Sequence, residues 1–286
     1  MVPDSHGALR CLYCGGESYF SDSDLSSYKT MRADLLQYVK NLADVRADEA
    51  DYSYLRGLGQ TEYFITDSGK TVSVDYYFYT EEDNVCIYSA FDSVVFVFPE
   101  NGAATVEDMK RGISLLCYPS ADIKDLSRYF PHIRAEFTLN DGRVFVAVSK
   151  PENAFPLYAF KNLDGEHVAW IISRLENLCC VLEFSSLRHN GISTSSVYIN
   201  PRTHEAYLLG GWWKSKPAKT FYNGDLVDLR RTGKIILGSK YDAQHSAFKS
   251  FLCELPREDA YNDFSNWDNV INKAFGGHRF VEFKSE

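Results

Sequence analysis

Hydrophobic and polar residues alternate with a period of two between residues 54 and 99, and this pattern predicts β-strands. The strands are rich in Tyr, Phe, Val and Thr and are separated by turn residues; we expect them at Thr61–Thr66, Thr71–Thr80, Asn84–Phe91 and Asp92–Phe98. Two further strands, Ile133–Leu139 and Arg143–Ser149, flank an Asn-Asp-Gly sequence, which is a strong hairpin signal. This part of the chain therefore predicts an antiparallel sheet.

The apolar spacing becomes helical beyond residue 155. Glu166–Phe184 is apolar around most of its circumference, which is typical of a buried helix. Other segments with helical spacing are Leu25–Ala47, Thr105–Tyr118 with Thr105 as its N-cap, the short Phe155–Phe160, Gly224–Leu237, and the first part of Ala260–Phe283. The Gly-Gly pair at 276–277 is expected to end the last of these helices.

The change of period predicts an α+β protein in three parts. Residues 1–50 form an N-terminal helical extension with a C-x-x-C turn, residues 51–154 a β-rich region, and residues 155–286 a helical region. The 286 residues, 45% of them hydrophobic, supply enough apolar material for a core. Aromatic residues make up 15% of the chain, and they suit a core or an interface equally well.

The net charge of −9 excludes some classes of partner. General binding to nucleic acid or to anionic membranes needs clustered Lys and Arg, so we expect neither. The sequence contains no run of the roughly 20 apolar residues that a transmembrane helix needs. Its N-terminus also lacks the apolar core of a signal peptide, which predicts a cytoplasmic protein.

Cys11 and Cys14 form the C-x-x-C of one zinc knuckle and are weak candidates for metal ligands. A structural zinc site needs four ligands, usually from two such pairs, and the sequence contains no second pair. The seven cysteines are irregularly spaced, which does not suggest a disulfide framework. We therefore expect a turn without stoichiometric zinc.

The segment from His189 to Trp212 follows the predicted buried helix and contains a turn, a strand, a tight turn, a second strand and a glycine pair. This layout resembles the catalytic loop H-R-D-L-x-x-x-N and the D-F-G turn of protein kinases. The matching positions are His189 for the kinase His, Gly191 for the catalytic Asp, Ser196 for the metal-binding Asn, and Gly210 or Gly211, with Trp212 behind, for D-F-G. The resemblance implies a protein kinase-like two-lobe fold, with an N-terminal antiparallel β lobe, a hinge at residues 150–154 and a C-terminal mainly α lobe.

The resemblance also assigns roles outside this segment. In kinases a strand lysine pairs with the nucleotide phosphates, and Phe96 or Val97 stands in its place here. Glu107, the candidate for the glutamate that pairs with this lysine, lies too early in its helix for that role. The sequence Leu-Arg-Gly-Leu-Gly at 55–59 matches a glycine-rich nucleotide loop so weakly that we expect a simple turn there. His189 and Asp228 are predicted to be structural residues, with Asp228 bonding to the catalytic-loop backbone.

These replacements predict a pseudokinase, a catalytically inactive scaffold that binds a protein partner. We expect no catalytic residue, no metal, no cofactor and no nucleotide binding, because none of the matching positions supplies a charge. One alternative is a divergent phosphoryl or nucleotidyl transferase that uses Asp225 or Glu205 instead. Another is a packaged virion protein, since the glycine–tryptophan variant resembles kinase-like proteins of large bacteriophages; the protein would then be in the host cytoplasm or the virion.

Overall fold

The computed structural model describes residues 8–10, 17–19, 53–118, 123–218, 224–279 and 281–283. The chain divides into two compact units, Met1–Asp51 and Tyr52–Glu286. In the first unit, strands β1 (Ala8–Arg10) and β2 (Glu17–Tyr19) pair antiparallel. The predicted Leu25–Ala47 helix and the residues Cys11 and Cys14 lie outside the described residues, so both predictions stay predictions, as do the domain boundaries.

The second unit begins with a six-stranded antiparallel sheet in the order β3-β4-β5-β6-β8-β7. Its strands are β3 (Gln60–Ile65), β4 (Thr71–Glu82), β5 (Val85–Ala90), β6 (Ser93–Phe98), β7 (Ile133–Thr138) and β8 (Val144–Ser149). An isolated bridge between Thr66 and Leu139 joins the two edges of the sheet at one end, so the sheet is curled. The inside of the curl is a separate apolar core, made by Phe64, Val74, Tyr88, Val95, Val97, Leu139, Phe145 and Ala147.

The tight turn between β4 and β5 differs from the longer turn that the sequence predicts. Strand β4 continues to Glu82, and Asp83 and Asn84 alone make the turn, with φ angles of 53° and 62°. Two consecutive residues with positive φ are typical of a type I′ turn, whose twist matches that of the flanking strands. The acidic side chains therefore project from the tip of a rigid hairpin.

Helix α1 (Ala103–Ser114) crosses from β6 to β7 and begins two residues before the predicted cap Thr105. Gly102 is the residue before the helix, and a Cβ there would lie 2.7 Å from the Cβ of Phe98. Only glycine allows the chain to turn this closely after the strand. The helix then ends at Ser114 rather than at the predicted Tyr118.

The helical lobe is built around α2 (Gly165–Phe184), which is buried along most of its length as predicted. It packs against α3 (Gly224–Leu237) and α5 (Ala260–Phe275), and α4 (Ser246–Cys253) lies against both of these helices. The eight-residue α4 was not predicted, because it is too short to give a periodic signal. Among the helices of the described ranges, none combines the length and the apolar character needed to cross a bilayer.

Short strands connect the two lobes and frame the loops between them. They are β9 (Phe155–Pro156), β10 (Leu187–Arg188), β11 (Val197–Asn200), β12 (Glu205–Leu208) and β13 (Lys216–Pro217). Strand β9 replaces the first residues of the predicted short helix, and only Leu157–Ala159 form a 3-10 turn. Proline disfavours a helical conformation in the residue before it, which explains why Phe155 is extended.

Three ionisable side chains meet in the core of the helical lobe. Arg230 of α3 donates two hydrogen bonds to Asp263 of α5, at 2.6 and 2.8 Å, and all the atoms involved are buried. Glu176 of α2 is fully buried, and neither of its carboxyl oxygens accepts a hydrogen bond. Burial and the negative charge of Asp263 raise the pKa of Glu176 well above its usual value. Folding therefore favours the protonated, neutral form of Glu176, which leaves Asp263 as the carboxylate that pairs with the Arg230 guanidinium.

We expect Glu176→Gln to become progressively more stable than the natural protein as the pH rises. A carboxyl whose pKa is raised by folding stabilises the folded state at pH values below its unfolded pKa, and this stabilisation is lost as the pH rises to the folded pKa. Glutamine has the shape of the protonated acid and does not titrate. The difference in unfolding free energy should grow by up to about 1.4 kcal/mol per pH unit above pH ~4.5. Urea unfolding between pH 4 and 9 measures it, and a constant difference would contradict the assignment.

Candidate functional site

The segment that resembles the kinase catalytic loop is held between two strand pairs. Strand β10 leads into it and pairs with β13, and strand β11 leads out of it and pairs with β12. This arrangement brings residues 189–196 next to residues 209–215, although the hairpin β11–β12 separates them in sequence. The predicted turn–strand–turn–strand layout is thus present in the structure.

His189 is fully buried and organises this segment. Its Nε2 donates to the carbonyl oxygen of Gly210 at 3.0 Å, and its ring packs edge-on against Trp212 at 4.9 Å. Burial lowers the pKa of His189 to about 3, so the ring is neutral and cannot act as a charged group near neutral pH. The contact joins the two loops, which supports the structural role predicted for His189.

The carboxylate that bonds to the loop backbone belongs to Asp225 and not to Asp228. Asp225 accepts the backbone N–H groups of His189 at 2.8 Å and of Asn190 at 2.7 Å. Asp228 lies one helical turn farther along α3, where it forms an ion pair with Arg231 at 3.3 Å. The prediction for Asp228 was therefore wrong: both aspartates lie on one side of the helix, and only the first reaches the loop. Burial raises the pKa of Asp225 to about 6 against the effect of the two N–H donors.

The glycines at the D-F-G positions lie in tightly packed backbone. A Cβ on Gly210 would be 2.9 Å from the Cα of Ser196, and one on Gly211 would be 2.9 Å from the ring of His189. The Ser196 carbonyl accepts the N–H groups of Leu209 and Gly210, each at 3.0 Å. Backbone atoms and the His189 ring therefore fill the space that a metal-binding carboxylate would need at these glycines.

The Lys214 side chain lies beside Gly191, the residue that matches the catalytic aspartate of kinases. A Cβ on Gly191 would lie 3.0 Å from Cδ of Lys214. The Lys214 ammonium donates to Glu82 at 2.5 Å and to Asp83 at 2.8 Å. The β4–β5 turn of the small lobe, which contains the six-stranded sheet, therefore contacts the large, helical lobe here. Ser195 donates to the same Glu82 carboxylate at 2.5 Å, and the Trp213 indole donates to Asp83 at 3.3 Å.

Phe96 is one of the two residues that the resemblance places at the strand lysine. Its ring packs on Trp213 with a centroid distance of 5.6 Å, and Phe98 does the same from two residues farther along β6. Val97 points the other way, into the core of the curled sheet. Of the two residues proposed from sequence, Phe96 therefore faces the interlobe cleft. Glu107, the carboxylate considered as the lysine's partner, is exposed on α1 and pairs with Lys110.

The space that separates the lobes near the hinge is filled by side chains. Tyr198 of β11 and Ser89 of β5 are hydrogen-bonded at 2.7 Å, which joins the large lobe directly to the sheet. Phe78 of β4 packs on Phe155 and Tyr158. A cavity lined by Phe78 and Ser89, among the described residues, measures about 10 Å³, which is room for about one water molecule.

Two basic residues close the outer end of this space. The Arg56 guanidinium donates to the carbonyl oxygen of Glu152 and to Asn153, and it lies 4.6 Å from the ring of Phe91. The buried Lys150 ammonium donates to the carbonyl oxygens of Phe91, Pro151 and Ala154 at 2.9 to 3.0 Å. Burial lowers the pKa of Lys150 to about 7. The carbonyl oxygens of the predicted hinge, residues 150–154, thus accept hydrogen bonds from the side chains of Arg56 and Lys150.

The structure also locates the two carboxylates considered for an alternative chemistry. Both oxygens of Asp225 are bonded to the loop backbone, as described above. Glu205 begins β12 and accepts hydrogen bonds from Thr203 and Tyr207 at 2.5 and 2.8 Å. No group of three or more His, Cys, Asp or Glu side chains suited to a metal ion occurs in the parts of the chain that the structure describes.

Sequence reasoning missed the acidic turn, Lys214, Tyr198 and Lys150. Each has at least one partner that is distant in sequence; the ion pair of Lys214 with Glu82, for example, spans 132 residues. The one available signal was the Glu-Glu-Asp sequence at 81–83, in the hairpin that matches the glycine-rich loop of kinases. That hairpin is β4–β5, because β6 follows it and leads to helix α1.

No protein-family model matches the chain, and no curated protein matches it in sequence. Solved structures do match its fold. The BubR1 kinase domain has a TM-score of 0.51 at 10% identity, over 89% of this chain and 95% of that chain. WbdD has a TM-score of 0.48 at 10% identity, over 70% of this chain and 47% of that chain. A rhoptry kinase from Toxoplasma gondii has a TM-score of 0.46 at 10% identity, over 78% and 86%.

The present chain spans about half the length of the WbdD chains that it matches. The match to the BubR1 kinase domain extends over most of both chains. It agrees with the antiparallel sheet followed by a helical lobe, and with the loop that His189 and Asp225 organise. The chain has a protein kinase-like fold.

Proposed function

We propose that this protein is a catalytically silent kinase-like module that acts by binding a protein partner. Phosphoryl transfer depends on charge placed around the phosphates and the metal: a strand lysine, two metal ligands and a carboxylate that accepts the substrate proton. The matching positions here are Phe96, Ser196, a glycine pair and Gly191. None of them supplies a charge, and general-base catalysis alone typically contributes about 10²- to 10⁴-fold to a rate.

The filled cleft is the observation that carries the proposal. The contact between Ser89 and Tyr198 crosses the cleft near the hinge, and the contact between Lys214 and Glu82 crosses it near the catalytic loop. A bound nucleotide would have to displace both contacts. The acidic pair Glu82 and Asp83 would also repel the nucleotide's phosphates. The cleft thus holds the lobes together, which suits a protein whose surface is its functional part.

A transferase that uses other carboxylates is supported less well. A general base must reach its substrate's proton within hydrogen-bond distance. Asp225 is nine-tenths or more buried and already accepts two backbone N–H groups. Glu205 is engaged by Thr203 and Tyr207 and also pairs with Arg128 at 3.2 Å. Both residues are therefore committed to holding the fold.

We expect the purified protein to transfer neither γ-phosphate nor AMP from ATP to itself or to generic protein substrates, with Mg²⁺ or with Mn²⁺. Nucleotide binding, measured by calorimetry, should not be strengthened by either metal. Gly191→Asp should remain inactive, because the metal ligands and the strand lysine are still missing and Lys214 fills part of the space. The assay follows labelled phosphate and labelled AMP separately.

Incorporation of label that is abolished by Glu205→Ala, in a variant that keeps its thermal unfolding temperature, would favour the transferase instead. The binding half of the proposal needs its own measurement, which is stoichiometric co-purification of a partner from native lysate. The aromatic surface suits such a contact, since Tyr63 is 67% exposed and Tyr79 is 47% exposed on neighbouring strands. A protein that is silent in the transfer assay and captures no partner under any native condition would leave no support for a binding module.

A further inference from the structure

We infer that the β4–β5 turn is an internal ligand of the cleft, an acidic latch that holds the small lobe closed on the large lobe. The acidic latch consists of Glu82 and Asp83. Their carboxylates receive hydrogen bonds from Lys214, Ser195 and Trp213, all of which belong to the large lobe. The inference concerns how the cleft is closed and does not depend on whether the protein is catalytically silent.

Three hydrogen-bond donors of different kinds converge on the acidic latch. Lys214 supplies an ammonium that bridges both carboxylates, Ser195 a hydroxyl and Trp213 an indole N–H. The Trp213 indole is 8% exposed, the side chains of Lys214 and Glu82 are 26% and 20% exposed, and that of Asp83 is 53% exposed. The Lys214–Glu82 pair is thus partly buried, and such pairs are screened less by solvent and salt than surface pairs are. Converging donors of this kind form an anion-binding arrangement, and here the anions belong to the chain itself.

The turn holds its carboxylates in place before they meet the large lobe. Asp83 and Asn84 form a rigid two-residue turn between two long paired strands. Little conformational freedom is lost when such a preorganised group binds, so the contact favours the closed form. The Lys214 ammonium in turn holds the pKa of Asp83 below its usual value, which keeps the latch charged.

The position of the latch determines what it excludes. In kinases the corresponding hairpin carries a glycine-rich loop that covers the nucleotide phosphates. Here the hairpin instead places two negative side chains against Lys214, whose Cδ would lie 3.0 Å from a Cβ on Gly191 of the catalytic-loop turn. Opening the latch would free the three donors for another anion, and closing it would expel that anion. The closed cleft is thus an autoinhibited anion site.

The test removes the two charges without changing the shape of the side chains, in the variant Glu82→Gln, Asp83→Asn. The matched control is Glu62→Gln, Glu81→Gln, which makes the same change in net charge at two exposed positions of β3 and β4. Hydrogen exchange of the backbone amides at 189–196 and 209–215 should accelerate at least tenfold in the first variant. The control should exchange as the natural protein does.

Pyrophosphate without metal is the second probe. It should bind the latch variant at low ionic strength at least tenfold more tightly than it binds the natural protein or the control. Adding Lys214→Met to the latch variant should abolish the gain, which places the anion in the cleft. Equal exchange in the two charge variants, or equal pyrophosphate binding by all proteins, would overturn the inference. If the latch variant does not fold, Lys214→Met alone removes the contact from the other lobe, and unchanged exchange in it would overturn the inference as well.

Discussion

Replacing Arg230 with methionine is expected to lower the free energy of unfolding by about 3 to 5 kcal/mol at pH 7. The substitution leaves the buried Asp263 carboxylate without its partner, next to the buried carboxyl of Glu176. The natural guanidinium also bonds to the carbonyl oxygen of Glu254 and stacks on the ring of Phe251 at 4.1 Å. Three helices of the large lobe depend on this one side chain. Chemical denaturation followed by circular dichroism measures the loss.

The neighbouring residue provides the control. Arg231 forms an exposed ion pair with Asp228 one turn along the same helix, and its side chain is 68% exposed. Exposed pairs contribute about 0 to 1 kcal/mol, so Arg231→Met should be nearly neutral. Equal losses for the two variants would show that the buried pair is not what stabilises this lobe.

The second large effect is expected for Asp225→Ala. The substitution leaves the N–H groups of His189 and Asn190 without acceptors, at a cost of about 1 to 3 kcal/mol for each buried donor. Asp228→Ala leaves both backbone bonds of Asp225 in place and removes an ion pair whose Arg231 side chain is 68% exposed, so its effect should be smaller, about 1 kcal/mol. The two aspartates thus form a matched pair of variants that differ by one helical turn.

Backbone exchange distinguishes the loop contact from a general loss of stability. In Asp225→Ala, the amides of His189 and Asn190 should exchange fastest relative to those of α2, since their acceptor is gone. If Asp228→Ala destabilises the protein as much as Asp225→Ala does, then the loop is not anchored through Asp225. Uniform acceleration over the whole lobe would point to the same conclusion.

Local pattern was sufficient for most of the secondary structure. The buried helix α2 and the sheet strands were predicted within a few residues, because a period of 3.6 or of two reflects which face of one element is buried. The turn between β7 and β8 followed from three residues, Asn-Asp-Gly. The short elements β9 and α4 were wrong or missed, since a few residues do not establish a period.

The degenerate motif was also visible in the sequence, because motif positions are fixed by spacing along one stretch of chain. His189, Gly191, Ser196 and the glycine pair lie next to one another. Spacing indicated which chemical groups were missing. It did not indicate what fills their place, since the replacements come from other elements.

The elements, their order and the absence of charge at the motif positions can be read from the sequence, because they depend on residues close together in the chain. The choice between Asp225 and Asp228, and between Phe96 and Val97, needed the three-dimensional packing, because it depends on the direction in which each side chain points. The tertiary structure also decided that the cleft is closed. Ser89 meets Tyr198 and Glu82 meets Lys214 across 109 and 132 residues, and no local preference of either partner encodes such a contact. These pairs form because packing the two lobes brings a donor and an acceptor together away from water, where an unpaired polar group is costly.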